Sequence, residues 1–151
     1  RYAEVLLNYA EAKIESNDID ASVSDAINQV RMRAGMPDIP AGLSQQELRV
    51  ALRYERKIEL AGEGFRLFDI RRWRIAEHVL PGDLPGRKYK EVWYSPGVPE
   101  INEYGHPVYA NQNEIFNVIQ ARSFNVARDY LWPIPQSERD INSNLTQNDG
   151  Y

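Results

Sequence analysis

Apolar residues recur at helical spacing through the first 34 residues and predict a pair of helices. In the stretch RYAEVLLNYAEAKIES they are separated by three or four positions, which places them on one face of a helix. The residues on this face are Ala3, Leu7, Ala10 and Ile14. The polar segment NDID interrupts the pattern, which resumes in residues 23–34 and stops before Gly35, a residue suited to a left-handed helix end. Together the two segments predict a helical hairpin.

A third helix is predicted to begin at Ser44, after the Pro- and Gly-containing loop MPDIPAGLS. Glu47 follows three residues later, the spacing of a capping box, in which each side chain accepts a hydrogen bond from the other residue's backbone N–H. The apolar seam predicted for this helix consists of Ala51, Tyr54, Ile58, Ala61 and Phe65. Gly62 and Gly64 are expected to end or bend the helix, before a fourth helix over residues 66–78.

Pro81 closes the fourth helix, and the composition of the chain changes from there to Arg128. This segment is rich in proline, glycine, tyrosine and asparagine, with short extended candidates at YKEVWY and HPVYA. Irregular segments of this length are usually functional or disordered, and the aromatic content argues against disorder. The sequence therefore predicts helical hairpins over residues 1–80, an irregular aromatic insertion over 81–128, and a WPIP step with a C-terminal tail over 129–151.

Composition and charge narrow the classes of function. The chain has 151 residues, of which 42% are hydrophobic, enough for one globular domain with a substantial core. Its net charge is −4 and it has no long basic run, so general nucleic-acid binding is not expected. Cysteine is absent, which excludes disulfides and thiolate metal sites from this chain, and no apolar stretch is long enough for a membrane span. Arg1 already lies in a helical pattern, so we expect a fragment of a longer chain.

Charged residues are concentrated in the stretch RYERKIELAGEGFRLFDIRRW. Its carboxylates at four-residue intervals are Glu55, Glu59 and Glu63, and Arg66, Asp69 and Arg72 follow at three-residue intervals. Arg31 and Arg33, at the end of the second helix, are candidates to reach Glu55 or Glu59. Half-buried carboxylates need such partners, because an unpaired buried charge costs several kcal/mol. We therefore predict an ionic network between the helices.

Two alternatives remain for these charges. A hydrolase of the glycosidase kind would use pairs among Glu55, Glu59, Glu63 and Asp69 as acid and base on either side of a substrate. The sequence supplies no cleft for this reaction, and the adjacent arginines are expected to hold the carboxylates ionised, which suits a general acid poorly. The other alternative is a loose network on the surface.

Three blocks of the sequence resemble the C-terminal region of the SusD/RagB family. They are AINQVRMRAG, LRYERKIELAGEGFRLFDIRRW and YLWPIPQSERDIN…LTQNDGY, in the family's order, and the resemblance covers nearly the whole chain except residues 81–128. It implies a mainly α fold, in which tetratricopeptide-like helical hairpins support a long irregular insertion with short β-strands. It also implies a framework role for the charged stretch, which lies in the region that family members share although their ligands differ.

The resemblance further implies a non-enzymatic, nutrient-binding lipoprotein on the outer surface of a Gram-negative outer membrane. Such proteins bind nutrients, most often oligosaccharides and otherwise peptides, and act as a lid on a SusC-like TonB-dependent transporter. Their lipid anchor is attached at the far N-terminus, which this fragment lacks. The alternative function is a tetratricopeptide-like scaffold that binds only other proteins.

Aromatic side chains of the insertion are the candidate ligand-binding residues, because a saccharide presents a C–H surface to flat rings. The four candidates are Trp93, Tyr94, Tyr104 and Tyr109. The competing interpretation is that these rings pack the insertion onto the helices. Trp73 and Trp132 lie in the family-like blocks and are expected in the core. No catalytic residue or cofactor is predicted, and His78 and His106 are isolated in the sequence, so no metal site is expected.

Overall fold

The computed structural model describes residues 1–87, 98–110 and 116–151. The chain divides into two compact units, one of Arg1–Leu67 with Asn102–Gly105 and the other of Phe68–Ile101 with His106–Tyr151. The helices within the described residues are α1 (Tyr2–Glu15), α2 (Ala21–Arg33), α3 (Gln45–Glu59), α4 (Arg66–Arg72), α5 (Ala76–Val79) and α6 (Gln136–Ile141). The strands there are β1 (Gly82–Arg87), β2 (Glu100–Ile101), β3 (Pro107–Val108) and β4 (Phe116–Arg122).

Helices α1, α2 and α3 surround the apolar core of the first unit. The predicted hairpin of α1 and α2 is confirmed, and α3 packs on both of its helices. The buried residues of this core are Leu7, Ala10, Ile14, Val23, Ala26, Ile27, Val30, Ile39, Leu48 and Leu52. The predicted fold class, mainly α with helical hairpins and only short strands, is therefore confirmed.

The predicted start and end of α3 are also confirmed. The Ser44 hydroxyl accepts a hydrogen bond from the Glu47 N–H at 3.3 Å, and the Glu47 carboxylate accepts one from the Ser44 N–H at 2.8 Å. Gly62 and Gly64 follow the helix with φ angles of +80° and +83°, a region that residues with a Cβ rarely adopt. These glycines stop the helix before Phe65, the last residue of the predicted seam.

The apolar seam predicted for α3 is wrong. The face that packs on α1 and α2 carries Leu48 and Leu52, whereas Tyr54 is 41% and Ile58 is 56% exposed. α3 has two apolar stripes, and the packed one also turns Glu55 toward α2. Helical periodicity locates both stripes, but it does not indicate which of them faces the neighbouring helices.

The predicted helix over residues 66–78 is interrupted, because α4 ends at Arg72 and α5 begins at Ala76. The Ile75 N–H donates to the Ile70 carbonyl at 3.0 Å, and the Arg74 N–H donates to the Arg71 carbonyl at 3.1 Å. This is the hydrogen-bond pattern of a Schellman helix end, and Arg74 has the left-handed φ of +53° that it requires. Glycine usually occupies this position, and the arginine found there does not indicate a helix end in the sequence.

Among its described residues, the second unit has two pairs of antiparallel strands. Strand β1 pairs with β4 with an irregularity between Leu84 and Pro85, and β2 pairs with β3 in a short hairpin. The extended candidate HPVYA is confirmed by β3, whereas YKEVWY lies outside the described residues. The β1–β4 pair was not predicted, because Pro85 and Gly86 weaken the strand signal of β1. A Cβ at position 86 would meet the end of the exposed Ile119 side chain, which would have to shift to accommodate it.

Candidate functional site

Ion pairs join α2 to α3 in the first unit and confirm the predicted network. Arg31 Nη1 lies 2.7 Å from Glu55 Oε2, and Arg33 Nη2 lies 2.5 Å from Glu59 Oε2. Arg31 also donates from Nε to the Pro37 carbonyl at 2.7 Å, which fixes the guanidinium between the helix and the following loop. The Glu55 side chain is only 10% exposed, so this pair is largely removed from water.

The carboxylates of the alternative acid–base interpretation each contact a guanidinium. The partners are Arg31 for Glu55, Arg33 and Arg1 for Glu59, Arg1 for Glu63 and Arg72 for Asp69. Each carboxylate is thus committed to a contact with a guanidinium. The arrangement therefore suits a framework better than acid–base catalysis.

A further ion pair joins α3 to α1. Arg49 on α3 donates from Nε and Nη2 to the two carboxylate oxygens of Glu15 on α1, both at 2.8 Å. These hydrogen bonds hold the pKa of Glu15 below its usual value, and the charge of Arg53 adds to the effect. The pair is more exposed than Arg31–Glu55, so water screens it and its contribution to stability is smaller.

Of the four candidate ligand-binding residues, the structure describes Tyr104 and Tyr109. Tyr104 is half-buried in the first unit, where its carbonyl accepts a hydrogen bond from Arg66 Nη2 at 3.2 Å. Tyr109 is half-buried in the second unit, with its ring centroid 5.4 Å from that of Phe116. Trp93 and Tyr94 lie outside the described residues. A ligand-binding site formed by all four residues therefore stays a prediction.

The loop that carries Tyr104 is held against α3. Lys57 donates from Nζ to the Gly105 carbonyl, and its burial, together with the charge of Arg66, lowers the pKa of the ammonium group. The Tyr104 N–H also donates to Asn102 Oδ1 at 3.1 Å. Tyr104 is thus fixed through its backbone at both its N–H and its carbonyl.

The second unit contains an open depression of about 450 Å³ that the sequence did not predict. It is lined by Phe68, Arg71, Arg72, Arg74, Tyr130 and Trp132. Two guanidinium groups lie over aromatic rings at distances typical of cation–π contacts. The Cζ atom of Arg71 is 4.2 Å from the Trp132 ring centroid, and that of Arg74 is 4.4 Å from the Tyr130 ring centroid.

The expectation that Trp132 belongs to the core is wrong, because its side chain is 57% exposed. Tyr130 occupies the buried position instead, and its hydroxyl accepts a hydrogen bond from the Ala76 N–H at 3.1 Å. Trp73, the other tryptophan expected there, is half-buried. Membership of a shared sequence block thus did not indicate which aromatic residue is buried.

Side chains of the C-terminal tail hold the backbone around Trp132. The Trp132 carbonyl accepts from Asn148 Nδ2 at 2.6 Å, and the Leu131 carbonyl accepts from the Tyr151 hydroxyl at 3.0 Å. Gln147 makes two hydrogen bonds with the backbone of Ile134, at 2.8 and 3.0 Å. The exposed indole is therefore carried by a fixed segment.

The carboxylates close to the depression are already engaged. Asp69 is buried and accepts from Arg72 Nε at 3.0 Å. Asp129 accepts from Arg128 Nε at 2.6 Å and from the Asn125 N–H at 2.7 Å. These hydrogen bonds, with a smaller effect from the charge of Arg71, hold the pKa of Asp129 below its usual value.

Within the described residues, no group of three or more His, Asp or Glu side chains is placed to hold a metal ion. In the same part of the chain, no helix has the length and apolarity that crossing a bilayer demands.

Comparison with known proteins gives consistent results for sequence and structure. The SusD family model matches residues 1–151. SusD-like protein P2 of Formosa agariphila is 36% identical in an alignment that covers 100% of this chain and 25% of that protein. SusD-like protein P25 of the same organism is 44% identical over 53% of this chain and 16% of its own length.

Two solved structures are similar over 100% of this chain. A SusD-like protein from Bacteroides fragilis superimposes with a TM-score of 0.73 at 32% identity, over 25% of its own length. A SusD superfamily protein from Parabacteroides distasonis superimposes with a TM-score of 0.57 at 28% identity, over 26% of its length. The chain thus spans about a quarter of the length of the relatives that it matches throughout.

Proposed function

Because this chain belongs to the SusD family, we propose that it is the C-terminal part of a longer protein that binds an oligosaccharide nutrient without converting it. The observation that carries the proposal is the match of the family model over residues 1–151. The pairing of Glu55, Glu59 and Asp69 with arginines supports binding without catalysis, because these carboxylates serve as ion-pair partners within the fold.

The proposed mechanism is reversible capture by aromatic stacking. Trp93, Tyr94, Tyr104 and Tyr109 are the proposed contacts, with rings that cover the C–H surface of a saccharide while polar neighbours bind its hydroxyls. Of these four residues, Tyr104 lies on a loop of the first unit that Lys57 and Arg66 hold by hydrogen bonds, which supports its proposed role.

The proposed partner is a SusC-like TonB-dependent transporter, to which the protein would deliver its ligand as a lid. The proposed location is the outer surface of the outer membrane, with a lipid anchor at the N-terminus of the longer protein. The partner and the location are inferred from the family, and the ligand-binding experiment tests neither of them.

The alternative is a tetratricopeptide-like scaffold whose ligand is another protein. An apolar stripe on α1 favours it, since Tyr2, Val5 and Tyr9 lie at helical spacing and are all exposed. Exposed apolar surface of this kind is typical of protein–protein interfaces. A full-length protein that binds its transporter partner but no member of a glycan panel would support the scaffold over saccharide capture.

The experiment that tests saccharide capture is a screen of the full-length protein against a glycan panel, followed by titration of the best-binding member. We expect Trp93→Ala and Tyr94→Ala to weaken that binding by about five- to tenfold each, the effect of losing one stacked ring. Isothermal titration calorimetry measures the change in Kd.

Tyr2→Ala is the matched control, because it removes an exposed aromatic ring from α1 and leaves the insertion unchanged. It should leave Kd unaltered. Unchanged binding in both insertion variants would refute the assignment of Trp93 and Tyr94, whereas a protein that binds no glycan at all would refute saccharide capture itself.

A further inference from the structure

We propose that the depression of the second unit binds the acidic group of a saccharide, either a carboxylate or a sulfate ester, between Arg71, Arg74 and Trp132. This inference rests on the proposed function, because it takes the ligand to be a saccharide. It uses none of the four candidate residues of the insertion and adds a charge preference that they do not supply.

The lining of the depression is rich in arginine. Three of the six lining residues are arginines, although the chain as a whole has a net charge of −4. Asp69 is bonded to Arg72, and Asp129 is bonded to Arg128, so each of these carboxylates already has its own partner. Within the described residues, Arg74 contacts the Tyr130 ring and forms no ion pair. An anion entering the depression would therefore meet the charge of Arg74, which no carboxylate of the described residues pairs with.

Unused hydrogen-bond donors are the second argument. Arg71 donates from Nη1 to the Tyr130 carbonyl at 3.2 Å, but its Nε is buried and has no partner among the described residues. A buried donor without an acceptor is costly, and an acidic oxygen bound to the terminal nitrogens of the same guanidinium would offset that cost electrostatically. Arginine is suited to this role because its planar fork of N–H groups matches carboxylate and sulfate oxygens.

The shape and rigidity of the site are the third argument. Phe68 is 63% exposed at the rim, and the Trp132 indole presents a second apolar surface to a sugar ring. The tail residues Asn148 and Tyr151 fix the backbone beside that indole, so little ordering is needed on binding. A volume of about 450 Å³ lies within the range of small-molecule sites and accommodates one or two sugar rings.

Arg74 is positioned by the helix end that it forms. Its φ of +53° belongs to the Schellman motif that terminates α4. The same backbone turn places its guanidinium over Tyr130, on the lining of the depression.

The test uses the full-length protein and tetragalacturonate, with the methyl ester of the same oligosaccharide as a neutral ligand of matched size. We expect the acid to bind more tightly than the ester. Arg74→Ala should weaken acid binding roughly tenfold or more, as expected for the loss of a charge-assisted hydrogen bond. It should leave binding of the ester unchanged, and Arg74→Lys should restore part of the acid binding.

Arg122→Ala is the matched control, because Arg122 is an exposed arginine of β4 that does not line the depression. Equal losses in Arg74→Ala and Arg122→Ala would indicate only a change in net charge and would overturn the proposal. A sulfated galactan oligosaccharide and its desulfated form make a second arm. Selective binding of the sulfated form alone would support the site and identify sulfate as its anion.

Oxidative footprinting of the unliganded full-length protein tests whether the site is open. Trp132 should be oxidised there and protected by tetragalacturonate or by the sulfated oligosaccharide. Protection without any saccharide would show that polypeptide covers the depression, which would overturn the proposal. If neutral glycans bind through Trp93 and Tyr94 without preference for an acid, only this inference fails; if no saccharide binds, the proposed function fails with it.

Discussion

At the scale of single residues, Glu55 and Arg31 show how a charged stretch stabilises a helical unit. Their side chains are largely buried, 2.7 Å apart, and the second donor of the same guanidinium is used by the Pro37 carbonyl. Such a pair need not stabilise the fold more than apolar residues would. Removing only one partner of the pair is nevertheless costly, because the charge of the other partner stays buried without compensation.

We therefore expect Glu55→Gln to lower the free energy of unfolding by about 1 to 3 kcal/mol. The neutral amide keeps the size of the side chain but leaves the Arg31 charge uncompensated. Urea denaturation followed by circular dichroism measures the change.

Glu15→Gln is the matched control on the same framework. Glu15 also pairs with an arginine of α3, but its side chain is 41% exposed, and an exposed pair contributes under about 1 kcal/mol. A loss as large for Glu15→Gln as for Glu55→Gln would show that burial does not determine the strength of these pairs.

For single residues, the sequence predicted the ion pairs correctly but predicted the burial of Trp132 wrongly. The pairing of Arg31 and Arg33 with Glu55 and Glu59 followed from helical spacing and from the need of carboxylates for partners. The exposure of Trp132 could not be predicted, because it depends on contacts with residues distant in the sequence. Arg71 and the tail residue Asn148 are such contacts.

At the scale of elements, the turn between α1 and α2 is held by a charged cap. Asp20 accepts hydrogen bonds from the Ser22 N–H at 2.9 Å and from Lys13 Nζ at 2.6 Å. These bonds, the one from Lys13 foremost, lower the pKa of Asp20 from 3.8 to about 2, and the same pair raises the pKa of Lys13. The cap therefore connects the end of α1 to the start of α2 through a group that titrates in acid.

The sign of the pH dependence follows from the lowered pKa. Asp20 stabilises the folded state above pH 3.8, its pKa when the contacts are absent, and this contribution is lost as the pH falls toward about 2. In Asp20→Asn the amide keeps the capping acceptor but not the charge. We expect the variant to lose less stability than the parent between these pH values, as measured by thermal unfolding.

Asp25→Asn is the control for this titration, since Asp25 is exposed on the same helix and has no hydrogen bond or ion pair within the described residues. Its pH profile should follow that of the parent chain. A parent-like profile for Asp20→Asn as well would contradict the assignment of the acid sensitivity to the cap.

Element boundaries were predictable where the chain uses the usual residue for the local geometry. The Ser44–Glu47 capping box and the glycines after α3 are such cases, and both gave correct ends. The break at Arg74 was missed because an arginine occupies a left-handed position where glycine is usual. The packed face of α3 was missed because either apolar stripe satisfies the helical period.

At the scale of the whole molecule, different parts of the chain have different proposed tasks. The first unit is a helical framework joined by arginine–glutamate pairs. The proposed recognition residues lie in the insertion, and the second unit adds an arginine-rich depression. Membership of the SusD family is shown for residues 1–151, and saccharide capture by the longer protein is the proposal that this division of tasks supports.

The most direct test of this division compares Glu55→Gln with Trp93→Ala in the full-length protein, by calorimetric titration with the best-binding glycan and by thermal unfolding. We predict that Glu55→Gln melts at a lower temperature but binds with an unchanged Kd. Trp93→Ala should melt like the parent and bind about five- to tenfold more weakly. A folded Glu55→Gln protein that has lost binding, beside a Trp93→Ala protein that binds normally, would contradict the account.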